Sequence, residues 1–143
     1  MKIKLAYGKQ GLWLDLPDAW NVTVVEPAYV PGLSDPAAAI RREFRDSWSL
    51  EDYGNRSGLH IGIIFSDITR PTPNHIILPA LLAELADRGV PRENITLFNA
   101  LGTHRPNTEA ELRRMLDGDA SGKSIYDQYR IVQNNAFDPT TQV

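Results

Sequence analysis

Hydrophobic positions follow a period of two at the start of the chain and change register further on. Ile3, Leu5 and Tyr7 alternate with Lys2, Lys4 and Ala6, which predicts a strand. Residues 8–11 hold two glycines and read as a turn. Leu12, Leu14 and Leu16 then alternate with Trp13 and Asp15, the pattern of a second hairpin arm. Val22, Thr23, Val24 and Val25 lie within residues 21–27 and predict a third strand. At Ser34, Asp35 and Pro36 the signal becomes helical: a capping side chain, then proline at the first helical position. Ile40, Phe44 and Trp48 recur four apart, so a helix is expected over residues 37–48 with these on one face. Residues 49–58, polar and holding two glycines, read as a loop.

The second half reads as an alternation of strands and helices. Residues 59–65 form a mostly apolar run of strand length, which predicts a strand buried on both faces, as in a parallel sheet. A polar loop follows over residues 66–73. A helix is expected over residues 74–88, closed by Gly89 and bent or split by Pro79. Residues 95–101 predict another buried strand, and residues 102–107 another polar loop. Thr108 and Glu111 have capping-box spacing for a third helix, with Leu112, Met115 and Leu116 on its inner face. Residues 129–132 predict a last strand. The fold class is therefore α/β: an N-terminal hairpin of short strands, then a Rossmann-like parallel β-α-β-α-β unit of the doubly wound type with right-handed crossovers. The 143 residues are expected to form a single domain.

Bulk properties narrow the class. Net charge is −3, so no basic surface argues for nucleic acid or an anionic membrane. No apolar run approaches the roughly 20 residues that span a bilayer. The chain has 0 cysteines, which excludes disulfides, thiolate catalysis and thiolate metal sites within it. A cytoplasmic location is the expectation.

The chemistry concentrates in the two polar loops. Both follow a parallel strand and precede a helix N-terminus. Open α/β sheets bind ligands at that edge, where free N–H groups favour anions. The first loop holds Ser66, Asp67, Thr69, Arg70 and Thr72, stiffened by Pro71 and Pro73. Arg70 is suited to grip a carboxylate or phosphate through two parallel hydrogen bonds. The second loop holds Thr103, His104, Arg105 and Asn107. His104 is the side chain in either loop suited to proton transfer near neutral pH. Thr72 and Thr108 read as helix caps, and Arg105 as a structural or solvated arginine. Taken together, the loops describe a site for a small anionic ligand with one acid/base group.

The same loops resemble the lactate racemase family. Asp67-Ile68-Thr69-Arg70-Pro71 is similar to that family's Asp-x-Thr-Arg-Pro motif, and Gly102-Thr103-His104-Arg105 to its Gly-Thr-His-Arg motif. Their order and their separation by a helix and a strand also fit, and the resemblance extends into the tail from Val132 to Val143. It implies a 2-hydroxyacid racemase or epimerase that works by proton-coupled hydride transfer to a nickel pincer nucleotide. By position it implies cofactor contact for Asp67, Ile68, Thr69 and Arg70, substrate carboxylate binding for Arg70, and a catalytic acid/base role for His104. Thr103 and Arg105 are weaker site candidates.

Inverting a stereocentre takes proton handling on both faces of the substrate, hence two bases. His60 is expected at the strand end far from the loops. His75 is expected in the first turn of a helix, as a surface or capping residue. In the family the second histidine, the tethering lysine and the nickel-binding histidine come later, and Lys2, Lys4, Lys9 and Lys123 match no such position. The resemblance thus implies an N-terminal portion that is inactive alone, holds no metal ligand and works with a C-terminal part of the same protein on a small 2-hydroxy acid. Two readings stand against it: a non-enzymatic module that binds a small anion, and an interaction module anchored by Trp13, Trp20 and Trp48.

Overall fold

The computed structural model describes residues 1–48, 58–117, 124–138 and 140. It divides into two units, Met1–Gly32 and Leu33–Val143. In the first unit β1 (Lys2–Leu5) pairs antiparallel with β2 (Leu12–Asp15), Ile3 opposite Leu14. The Leu16 N–H donates to the Met1 carbonyl at 2.9 Å and extends the ladder by one bond. This is the expected hairpin. The third strand does not form: residues 21–27 are irregular, with Val24 and Val25 exposed. β-branched residues favour extended backbone, but a strand exists only against a partner edge, and Pro27 and Pro31 remove donors nearby.

In the second unit α1 (Pro36–Ser47) starts as its sequence demands. The Asp35 carboxylate accepts from the Ala38 N–H at 2.9 Å and Pro36 stands first in the helix. Phe44 and Trp48, both partly buried, pack against the core with ring centroids 4.6 Å apart. Trp13 and Trp20, in the first unit, are exposed. The loop expected over residues 49–58 lies, except for Gly58, outside the described residues.

Three parallel strands carry the rest: β3 (Ile61–Ser66), β4 (Ile95–Ala100) and β5 (Arg130–Gln133), in the order β3-β4-β5. Helix α2 (Asn74–Asp87) connects the first pair. A 3₁₀ turn, Arg92–Asn94, leads into β4. Helix α3 (Glu109–Asp117) and the short α4 (Ile125–Gln128), which the sequence reading missed, lie before β5. Pro79 does not split α2. It is the sixth residue of an uninterrupted helix, where the bond it removes would have gone to the carbonyl of His75 in the first turn. The helix ends in a Schellman motif: Gly89 takes φ 79°, Val90 N–H reaches the Leu85 carbonyl at 3.0 Å, and Gly89 N–H reaches Ala86 at 2.9 Å.

The strand order never reverses, so crossovers of one hand put their helices on one face, and α2 and α3 touch each other. Among the described residues the sheet is therefore singly wound, not doubly wound. Burial along β3 follows from this: Phe65 is 4% exposed and its neighbour Ile64 is 76% exposed, contrary to the expected burial on both faces. The apolar face of the sheet meets Leu78, Leu82, Leu85, Leu112 and Leu116 to form the core. Helix α2 also packs under α1, and at this second contact it buries Glu84. Arg45 grips that carboxylate through Nε at 3.1 Å and an Nη at 2.7 Å, and Arg88 Nε lies at 3.1 Å. These bonds, Arg45 first, hold the Glu84 carboxyl at about 2.

Candidate functional site

The register of the sheet assembles the site. Ser66 ends β3 directly beside Ala100, which ends β4. The two polar loops therefore leave the sheet side by side, at the carboxyl edge expected for a ligand. They enclose an open depression of about 500 Å³, lined among others by Ser66, Asp67, Arg70, Gly102, Thr103 and His104, within the range of small-molecule sites.

Asp67 and His104 meet across this depression, with His104 Nδ1 2.7 Å from Asp67 Oδ2. The other carboxylate oxygen, Oδ1, accepts from the Thr69 hydroxyl at 2.8 Å. Asp67 is 4% exposed, whereas half of the His104 side chain is open. Burial pushes the Asp67 carboxyl up, but the bonds from Thr69 and His104 outweigh it together, and its pKa falls below the ordinary aspartate value. The Arg70 N–H closes a turn onto the Asp67 carbonyl at 3.2 Å. The Arg70 guanidinium is exposed on the rim and has no partner among the described residues.

The remaining candidates divide. Thr103 lines the depression beside His104. Ile68 is half-buried in the turn, and Thr69 spends its hydroxyl on Asp67; neither lines the depression. Arg105 turns away to a two-pronged pair with Glu111, at 2.7 and 2.9 Å. Glu111 in turn accepts from the Thr108 N–H at 2.8 Å, and Thr108 Oγ1 accepts from the Glu111 N–H at 3.3 Å. The capping box is thus present, with Arg105 bound to it. Thr72 does not cap α2. Pro73 holds that position, and the Thr72 hydroxyl accepts from Ser66 Oγ at 2.9 Å. His60 and His75 are exposed, the first just ahead of β3 and the second in the first turn of α2. Of the three histidines, only His104 lines the depression.

A layer of buried and half-buried amides beneath the loops escaped the sequence reading. Asn99 is 1% exposed. Its Nδ2 donates to the Ser66 carbonyl at 3.2 Å, and its Oδ1 accepts from Asn107 Nδ2 at 2.6 Å. Gln133 clasps the backbone of Asn107, accepting from its N–H at 2.8 Å and donating to its carbonyl at 3.0 Å. Asn134 Oδ1 accepts from the Leu101 N–H at 2.6 Å. The available signal was phase: Asn99 continues the inward set Ile95, Leu97 into the strand end, where an unpaired amide would be costly.

Among the described residues no group of three or more His, Asp or Glu is placed to hold a metal ion, and no helix is long and apolar enough to cross a membrane. The exposed groups of the depression are a guanidinium, a hydroxyl and an imidazole, a set that can bind a carboxylate or phosphate.

Comparison with known proteins agrees in extent and in kind. The chain is 38% identical over 84 residues to a lactate racemase of Lactiplantibacillus plantarum, covering 59% of this chain and 18% of that protein. It is 31% identical over 130 residues to a lactate racemase of Thermoanaerobacterium thermosaccharolyticum, covering 82% of this chain and 28% of that protein. The chain thus spans a minor part of the length of these relatives. A crystal structure of a Thermotoga maritima protein is 24% identical, has a TM-score of 0.54 and covers 78% of this chain and 24% of that one. It supports the α/β fold. The family model described as the lactate racemase N-terminal domain matches residues 7–143. With nearly the whole sequence accounted for in this way, the chain belongs to the lactate racemase N-terminal domain family.

Proposed function

We propose that this chain forms one wall of a site that interconverts the stereoisomers of a small 2-hydroxy acid, with His104 as the acid/base group on that wall. The observation that carries the reading is the juxtaposition, in one open depression, of an imidazole held by a buried carboxylate and a guanidinium without a partner among the described residues. Arg70 binds the substrate carboxylate, a task that suits a planar fork of donors. His104 exchanges a proton with the substrate hydroxyl beside it. Thr103 offers a further hydrogen bond on the same rim.

A nickel pincer nucleotide, when bound, supplies the hydride acceptor and donor that such a racemisation needs. The anion-binding groups here fit the nucleotide's phosphate and the substrate carboxylate, and Arg70 is the residue placed to serve either. The described residues offer no metal-binding cluster, so in this reading the nickel ligand, the tethering lysine and the second base belong to the further length that the relatives possess. The chain by itself is then inactive.

To test this, the 143-residue chain and the longest chain available from the source gene are each produced with the cofactor-making enzymes and nickel. Bound nickel is measured, along with the loss of optical activity in D- and L-2-hydroxy acids. Racemisation by the longer chain, abolished by His104→Ala, is expected. A nickel-loaded longer chain that leaves every hydroxy acid unchanged sinks the reading. The presence of a single histidine in the depression favours the second reading, a module that binds a small anion without turnover. Calorimetric binding of lactate or inorganic phosphate by a chain that never racemises supports it.

A further inference from the structure

We propose that Asp67 is a positioning residue for His104: its buried carboxylate holds the imidazole by Nδ1–H and leaves Nε2 as the nitrogen that exchanges protons in the crevice. The proposal rests on the reading of this crevice given above and departs from the cofactor contact that the resemblance implied for Asp67. Both carboxylate oxygens are occupied, Oδ1 by the Thr69 hydroxyl at 2.8 Å and Oδ2 by the His104 ring at 2.7 Å. The residue is 4% exposed. Each oxygen of this nearly buried carboxylate is already engaged within the chain, and its charge repels a phosphate.

The chemistry of the contact follows from the donor inventory. An ionised carboxylate only accepts, so the proton between the two groups belongs to Nδ1. In a neutral ring the lone pair is then on Nε2, across the imidazole from Asp67. When Nε2 takes up a proton, the adjacent negative charge steadies the imidazolium. The depressed pKa of Asp67 is consistent with an ionised partner. The carboxylate is itself held: the Arg70 N–H to Asp67 carbonyl turn fixes its backbone, and Thr69 fixes its rotamer. The ring is thereby set in angle as well as in tautomer.

The test reads the tautomer directly and does not depend on activity. The 143-residue chain, labelled with ¹⁵N-histidine, is examined by NMR in alkaline buffer, where imidazoles are neutral. His104 is expected as the Nδ1–H tautomer. In Asp67→Asn the amide can donate to the ring instead, and the population is expected to move toward Nε2–H. Thr69→Val, which removes the other bond to Asp67, is expected to keep the wild-type tautomer. A wild-type ring in the Nε2–H form overturns the proposal, as does an Asp67→Asn spectrum identical to wild type. Should Asp67→Asn fail to fold, the wild-type tautomer alone decides.

In the longer racemase, Asp67→Asn is expected to lower kcat by at least about a hundredfold with little change in KM. A raised KM with kcat intact would instead make Asp67 a ligand contact and overturn the proposal. A wild-type enzyme without racemase activity refutes the function proposed above and leaves the tautomer result standing.

Discussion

Asn99 and Asn107 share a hydrogen bond of 2.6 Å, from Nδ2 of the second to Oδ1 of the first. Through it the end of β4 is tied to the loop that follows His104. The other end of the Asn99 amide reaches the Ser66 carbonyl, one residue before Asp67, at 3.2 Å. One side chain therefore sets the spacing between the loops that carry the Asp67–His104 pair. Asn99→Leu keeps the approximate volume and strands the buried Asn107 amide, while the Ser66 carbonyl keeps a bond from Asn74 Nδ2 at 3.4 Å. A loss of about 3 kcal/mol is expected, since a buried polar group without a partner costs about 1–3 kcal/mol. Urea unfolding measures it, and a variant within 0.5 kcal/mol of wild type (the usual range of a neutral surface change) contradicts the clamp.

The pair between α1 and α2 has a pH signature. The Glu84 carboxyl is held at about 2 against an ordinary 4.5, chiefly by its bonds to Arg45. A depressed folded pKa means that the folded state releases its proton more readily than the unfolded state. The stabilisation is thus complete above 4.5 and is lost as pH falls toward 2. Asp67 acts in the same direction: burial works against it, but its bonds to Thr69 and His104 win. Unfolding free energy measured against pH is expected to fall across that acid window. Glu84→Gln is expected to be less stable at neutral pH and to show a flatter acid limb. An unchanged acid limb in the variant would contradict the role of the Arg45–Glu84 pair.

What the sequence made legible divides along physical lines. Elements announced by local chemistry appear where their signals stand: the Asp35–Pro36 helix start, the Thr108–Glu111 box and the Gly89 stop. The loop motifs were legible because parallel strands must end on a common edge, which brought Asp67 and His104 together. Nonlocal outcomes were not. Val24 and Val25 have strand propensity but no edge to pair with, and Ile64 belongs to an apolar run yet points away from the helices. The winding of the sheet depends on strand order, which no single segment encodes. Asn99 and Gln133 read as ordinary polar residues until the fold places them under the loops.

Arg70 separates binding from folding. Its guanidinium is exposed and has no partner among the described residues, so Arg70→Ala should leave the thermal midpoint unchanged. If the proposed function holds, the same change in the longer protein should raise KM for the 2-hydroxy acid by about 10- to 100-fold, the equivalent of one charge-assisted bond of about 1.5–3 kcal/mol. Arg70→Lys keeps the charge and loses the fork, so only partial recovery is expected. A lowered midpoint in Arg70→Ala, or an unaltered KM, would remove Arg70 from the substrate site.

Gly102 opens the second loop with φ 57°. This is the left-handed region, where a side chain strains the backbone. A Cβ added there meets nothing within 4 Å, so the cost of substitution is conformational and not steric. That distinction orders the variants. Gly102→Ala should lose about 1 kcal/mol, Gly102→Asn less, because asparagine tolerates this region, and Gly102→Val more, because β-branched side chains do not. A packing defect would rank them by volume and put alanine ahead of asparagine. The same order is expected in the activity of the longer enzyme, since His104 stands two residues on, in the turn closed by its own N–H onto the Leu101 carbonyl at 3.0 Å. Denaturant midpoints and racemisation rates for the three variants provide the comparison. If asparagine proves worse than alanine, the left-handed turn is not what presents His104 to the crevice.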